Sequence, residues 1–222
     1  MKAFNNLSKL VLILMLSLMT VSSSKAALDS KGTDFWLMFN GNLGTPTLTL
    51  FITSDVNTSG TVDIPGLAFS TPFSVTANTV TSVVIPSSVA SHTSDVVDNL
   101  GIHVTSVQEV TVYGLNYIAF TTDAYLGLPT DILGTDYTVL TYRNSSSGNG
   151  VEFGIVGTVN GTTVTITPSV TTGIRTAGVP YNIVLNQGDT YELRNSSSST
   201  ADLSGTKITS TQPIGVMGAE LC

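Results

Sequence analysis

The chain holds two histidines, His92 and His103, fifteen acidic side chains and a single cysteine, Cys222. Those are the groups from which acid, base, nucleophilic or metal chemistry would have to be built. His92 lies in Ser91-His92-Thr93-Ser94-Asp95, which offers a hydroxyl, an imidazole and a carboxylate. Sequence neighbours rarely form a catalytic triad, however, and nothing nearby supplies an oxyanion hole. His103 falls on the polar side of an alternating run and reads as a surface histidine. Two separated histidines and one cysteine do not make a zinc site. Asp123, Asp131 and Asp136 are close enough in sequence to suggest the paired carboxylates of a glycan hydrolase. The chain has no Gly-x-Ser-x-Gly, His-Glu-x-x-His, Cys-x-x-Cys, Gly-x-Gly-x-x-Gly or phosphate-loop sequence. No residue is assigned a catalytic role, and the expectation is a protein that is not an enzyme.

Two of the acids recur in one setting. Asp34 and Asp136 each follow Gly-Thr and precede an aromatic residue. A short acceptor there suits turn geometry, and an acid needed for a turn would recur in each copy of a repeat, whereas a catalytic dyad would appear once. Asp34 and Asp136 are also the weak candidates for calcium. Asp55, Asn57 and Asp63 could add oxygen ligands in the first half, although no calcium-loop motif is present. The expectation is no metal and no cofactor, with calcium as the alternative. Trp36, the only tryptophan, sits in a run that is apolar on both faces, Phe35-Trp36-Leu37-Met38-Phe39, and reads as a central buried strand rather than a sugar-stacking platform. The triplets at Asn57, Asn144, Asn160 and Asn195 would mark surface loops in a eukaryotic host and are simply turn residues in a bacterium.

The elements that must position these groups are strands. Val110 and Val112 alternate with Thr111, Val164 and Ile166 with Thr165, and Tyr181, Ile183 and Leu185 share one face. A period of two with β-branched filling is that of strands buried on one face. Asn160-Gly161 lies between two such runs and predicts a hairpin with a type I′ turn. The pattern also repeats. Asp29-Ser-Lys-Gly-Thr-Asp-Phe35 returns as Asp131-Ile-Leu-Gly-Thr-Asp-Tyr137 at an offset of 102. Val104 to Gly114, with Thr105-Ser106-Val107-Gln108, returns as Ile208 to Gly218, with Thr209-Ser210-Thr211-Gln212, at 104. Val62 and Ile64 match Val164 and Ile166 at 102. The expected fold is therefore all-β: two tandem, related, antiparallel β-sandwich-like domains of about seven strands each, over residues 27–120 and 121–222, with no substantial helix. The short, partly apolar link from Thr121 to Asp131 implies that they pack together.

The N-terminus reads as a secretion signal over residues 1–26. Lys2 and Lys9 precede the apolar run Leu10 to Met19, and Ser24 and Ala26 are the small residues of a cleavage site. Removal of Lys2, Lys9 and Lys25 leaves five basic residues against fifteen acidic ones, a formal charge of −10. Such a chain is a poor partner for nucleic acid or anionic lipid. No further membrane span is expected in the mature chain. The lack of disulfides in an exported protein favours a bacterial source, and Cys222 at the very end suggests that a C-terminal portion follows.

Several runs carry a family resemblance. Asp123-Ala-Tyr-Leu-Gly-Leu-Pro-Thr130, Gly161-Thr-Thr-Val-Thr-Ile-Thr-Pro168, Leu185-Asn-Gln-Gly-Asp-Thr-Tyr-Glu-Leu193, Asp202-Leu-Ser-Gly-Thr-Lys-Ile208 and Gln212-Pro-Ile-Gly-Val216, in this order and spacing, resemble the N-terminal domain family of IgGFc-binding protein. The resemblance implies an extracellular β module and, in animals, antibody Fc as ligand. No compact binding motif lets that ligand be mapped onto this chain. The function expected is a secreted or cell-surface, non-catalytic binding or adhesion module that recognises a protein or glycan through loops at the domain ends. A structural spacer or matrix component is the alternative, and a glycan hydrolase the less favoured one.

Overall fold

The computed structural model describes residues 29–142, 150–196 and 202–221. The secretion signal over 1–26, Asn144 and Cys222 lie outside the described residues. Among the described residues, fourteen strands form two seven-stranded antiparallel sheets. The first contains β1 (Gly32–Leu37), β2 (Thr47–Thr53), β3 (Thr58–Ile64), β4 (Phe69–Val75), β5 (Val80–Ile85), β7 (Ile102–Tyr117) and β8 (Asp123–Leu126). The second contains β6 (Val96–Asp98), β9 (Gly134–Thr138), β10 (Val151–Gly157), β11 (Thr162–Thr167), β12 (Tyr181–Leu185), β13 (Thr190–Asn195) and β14 (Lys207–Glu220). The fold is all-β, as its alternating sequence requires. Among the described residues no helix is long and apolar enough to cross a membrane.

Each sheet turns back on itself around one long strand. The first half of β7 pairs with β1 and β3, and its second half with β2 and β8. The first half of β14 pairs with β9 and β11, and its second half with β10. The recurring Ser-x-Gln marks the corner of each. Ser106 Oγ donates to the Gln108 carbonyl at 2.7 Å, and Ser210 Oγ to the Gln212 carbonyl at 2.6 Å. The register breaks in the same place in both sheets, as a bulge that bends the strand requires. The two layers so formed enclose one apolar core each, around Phe35, Leu50, Ile64 and Val112 in the first and around Phe153, Ile166, Leu193 and Ile208 in the second.

The two sheets are copies of one plan. Strand order β4-β3-β7-β2-β5 in the first is β12-β11-β14-β10-β13 in the second. Asp34 lies opposite Thr105 and Asp136 opposite Thr209. Val62 lies opposite Val104 and Ile166 opposite Ile208, which makes Ile166, not Val164, the counterpart of Val62. Alternation alone allows a slip of two residues, because both registers bury the same face.

Strand pairing crosses the division drawn between residues 120 and 121 twice. β8, from the second half of the sequence, adds to β7. β6, from the β5–β7 connection, adds to β13. The Asn160-Gly161 turn is not a hairpin: β10 pairs with β13 and β14, β11 with β12 and β14, so the turn carries the chain from one layer to the other. Only Gly161 of the pair has positive φ, at 72°, whereas a type I′ turn needs both.

Candidate ligand-binding cleft between the two domains

The domains meet along the strand that leaves β1. Phe35, Leu37 and Phe39 point into the first core, while Trp36 and Met38 point the other way, onto Val156 of β10 and Met217 of β14. β1 is thus an edge strand, hydrogen-bonded to β7 alone among the described residues, and buried on both faces because the second domain covers it. This is why the run lacks alternation. Trp36 is 5% exposed and stacks flat on His103, with ring centroids 4.2 Å apart and planes 4° apart.

The polar groups predicted from sequence are dispersed. His103 Nε2 lies 2.8 Å from Asp34 Oδ2, and Asp34 Oδ1 accepts from the Thr130 hydroxyl at 2.6 Å, so both Asp34 oxygens are engaged. Asp136 lies exposed on β9. His92 is buried with Nε2 2.9 Å from the Phe39 carbonyl, and its carboxylate neighbour is Asp98 at 3.6 Å. Asp95, the other member of the imagined triad, is bonded to Arg175 and accepts from the Tyr191 hydroxyl at 2.6 Å, tying the β5–β7 connection to the second domain. Asp55 pairs with Lys31, Asn57 accepts from the Ala77 amide and Asp63 accepts from Thr61. Asp123 and Asp131 line different hollows. Among the described residues no three His, Cys, Asp or Glu side chains gather as a metal site.

What the fold does bring together lies on the seam, and sequence reading missed it. A cleft of about 360 Å³ opens between β8 (Asp123, Ala124, Tyr125) and the end of β14 (Met217 to Glu220), floored by Phe39, Asn40, Gly41 and Asn116. A smaller hollow of about 100 Å³, lined by Leu126, Leu128 and Val216 among others, continues the seam. Neither amide atom of Asn40 finds a partner among the described residues, nor does the Tyr125 hydroxyl, although all three are buried. Burial pushes the Tyr125 phenol far up, so it stays a donor. At the rim, partial burial and then the nearby Asp123 charge raise Glu220 above the ordinary carboxyl range.

Behind Gly41 lies a buried charged set. Arg194 donates from Nε to Glu152 Oε2 and from a terminal nitrogen to Glu192 Oε1, both at 2.7 Å, and Glu192 Oε2 accepts from the Gly41 amide at 3.1 Å. Both glutamates are fully buried, and Glu152 Oε1 has no partner among the described residues. Desolvation, and then the neighbouring Glu192 charge, push the Glu152 carboxyl up to about 8. One guanidinium facing two acids favours a proton on one of them. Glu192 and Arg194 are two residues apart on β13, but Glu152 lies on β10, 42 residues before Arg194, too far for sequence to join it to them.

The fold and this seam define a tandem β-sandwich protein with an interdomain cleft and no reactive constellation described within it. Residues 123–222 match the model of the family described as IgGFc binding protein, and this part of the chain belongs to that family. The human IgGFc-binding protein is 32% identical over 117 residues, which is 51% of this chain and 2% of that protein's length. The chain therefore spans a small fraction of that relative. No solved structure matches it.

Proposed function

We propose that the chain is an exported, non-catalytic binding module that takes a protein ligand in the cleft between its two domains. The observation that carries this reading is the cleft itself: a mixed lining with Phe39, Ala124 and Met217 as its apolar part, the Asn40 amide and the Tyr125 hydroxyl buried with hydrogen-bonding capacity to spare, and two carboxylates at its mouth. Polar groups of this kind fix the orientation of a ligand in a largely apolar site. Membership of a family named for binding an antibody fragment supports a protein as ligand rather than a glycan. The secretion signal read over residues 1–26 supports a place outside the cell. The human relative's named ligand is one candidate, and arrays of extracellular proteins and glycans are the open search.

The test uses residues 27–222 on such arrays, beside D123K and E220K variants. Both positions lie at the mouth of the cleft, so neither change should alter the melting temperature. A protein ligand should lose at least tenfold in affinity to one or both variants. A ligand that binds wild type and both variants equally would place the site elsewhere, and the absence of any ligand would favour the structural-spacer reading.

A further inference from the structure

The two copies differ at one edge. In the first domain, Tyr113 to Asn116 of β7 carry β8 as an outer neighbour, with Tyr125 opposite Gly114 and Asp123 opposite Asn116. The Tyr125 ring fills the space a side chain at Gly114 would need and packs edge-on against Phe39 in the core. At the constant offset of 104, the equivalent stretch of β14 is Met217 to Glu220. There β10 pairs on one side, and among the described residues no strand pairs on the other.

We propose that this edge of β14 accepts an extended polypeptide segment from a partner, paired antiparallel as β8 pairs with β7. The proposal rests on the reading of the chain as a binding module and specifies how its protein partner is held. Three observations support it. The first is backbone direction. The Leu221 amide donates to the Gly150 carbonyl, so odd-numbered residues here face β10, and Gly218 and Glu220 turn their N–H and C=O groups to the open side. The Gly127 amide donates to the Val112 carbonyl in the first domain, so the equivalent even-numbered residues there are the ones that serve β8.

The second is a hollow on each face of the edge. Met217 packs onto Trp36 and Met38, the side of the interdomain cleft. A side chain at Gly218 would point the other way, against the Leu140 carbonyl, where Leu140, Thr141 and Tyr142 enclose about 370 Å³. Leu140 and Tyr142 are strongly exposed there, at 81% and 78%. An added strand sends alternate side chains to opposite faces, so one row would enter each hollow. The residue opposite Gly218 enters the Leu140–Tyr142 hollow, the position that Tyr125 takes in the first domain, and an aromatic side chain suits it. The third is charge. Asp123 and Glu220 crowd one end of the edge, which selects a basic residue opposite Glu220.

The probe is a synthetic peptide with the sequence of residues 120–128 carrying D123K, so that its lysine meets Glu220 and its tyrosine meets Gly218. Fluorescence anisotropy with residues 27–222 should show saturable binding. N-methylation of the tyrosine amide, which faces the ladder, should weaken it at least tenfold, while N-methylation of the alanine amide, which faces away, should leave it within twofold. Glu220→Pro removes an outward N–H from the edge without touching the β10 ladder and should also abolish binding. Equal binding of both methylated peptides, no binding of the parent peptide, or undiminished binding to the Glu220→Pro variant would overturn the proposal. So would self-association of the chain through this edge in ultracentrifugation. If the array ligand binds and depends on Asp123 or Glu220 while the peptide does not, strand addition fails and the binding-module reading stands.

Discussion

At Glu152 the folded chain holds a proton that the unfolded chain would release, because its carboxyl is pushed from 4.5 to about 8. The stability tied to that proton is complete below about pH 4.5 and is lost as the pH climbs to about 8. A glutamine keeps an acceptor for Arg194 and a donor toward Glu192 without the charge. The melting temperature of Glu152→Gln should therefore fall less than that of wild type between pH 5 and 9, and exceed it above pH 8. Parallel pH profiles would refute the assignment. At Asp34 both oxygens are already engaged, so millimolar calcium should leave the melting curve unchanged. Single residues were the least legible part of the sequence. Asp95 lies three residues from His92, yet its partners Arg175 and Tyr191 are 80 and 96 residues away. Local spacing carries no trace of such pairs, and the cleft residues Asn40, Tyr125 and Glu220 meet for the same reason only through the fold.

Elements were better encoded, where a physical period exists to be read. Strict alternation located β11 and most of β7, and the doubled blocks revealed the common plan of the two domains. Reading failed where a strand's surroundings differ from those of a one-sided sheet. β1 has two buried faces and reads as central although it is an edge, and Asn160-Gly161 marks a chain reversal without saying which layer the next strand joins. β8 looked like a linker because its four residues, half-exposed at Tyr125 and exposed elsewhere, have no alternation to show. Its role as part of the first domain leads to a prediction. Tyr125 closes the core beside Gly114 and Phe39, so Tyr125→Ala should cost about 3 kcal/mol, as large-to-small core changes do, measured by urea denaturation of residues 27–222. A cost under about 1 kcal/mol would show that β8 is only draped over the surface.

On the scale of the whole molecule, each sheet borrows a strand from the other half of the sequence, and Trp36 and Met38 bury themselves against the second domain. Unfolding should be one transition by near-ultraviolet and far-ultraviolet signals alike. Expressed alone, residues 123–222 lack β6 and the cover over Val156 and Met217, and should melt well below the intact chain or aggregate. A fragment as stable as the whole would mean that the domains are independent and the seam incidental. The net charge of −7 suits a basic or neutral partner surface and is consistent with the acidic mouth of the cleft.

The central claim is that a partner is held at the seam between β8 and the end of β14. Amide hydrogen exchange of the chain, free and saturated with a protein ligand found on the arrays, tests it most directly. The account predicts added protection at Asp123 to Tyr125 and at Gly218 and Glu220. Protection confined to the far ends of the domains, such as the turns at Asn78 and Gly173, with the seam unchanged, would contradict it.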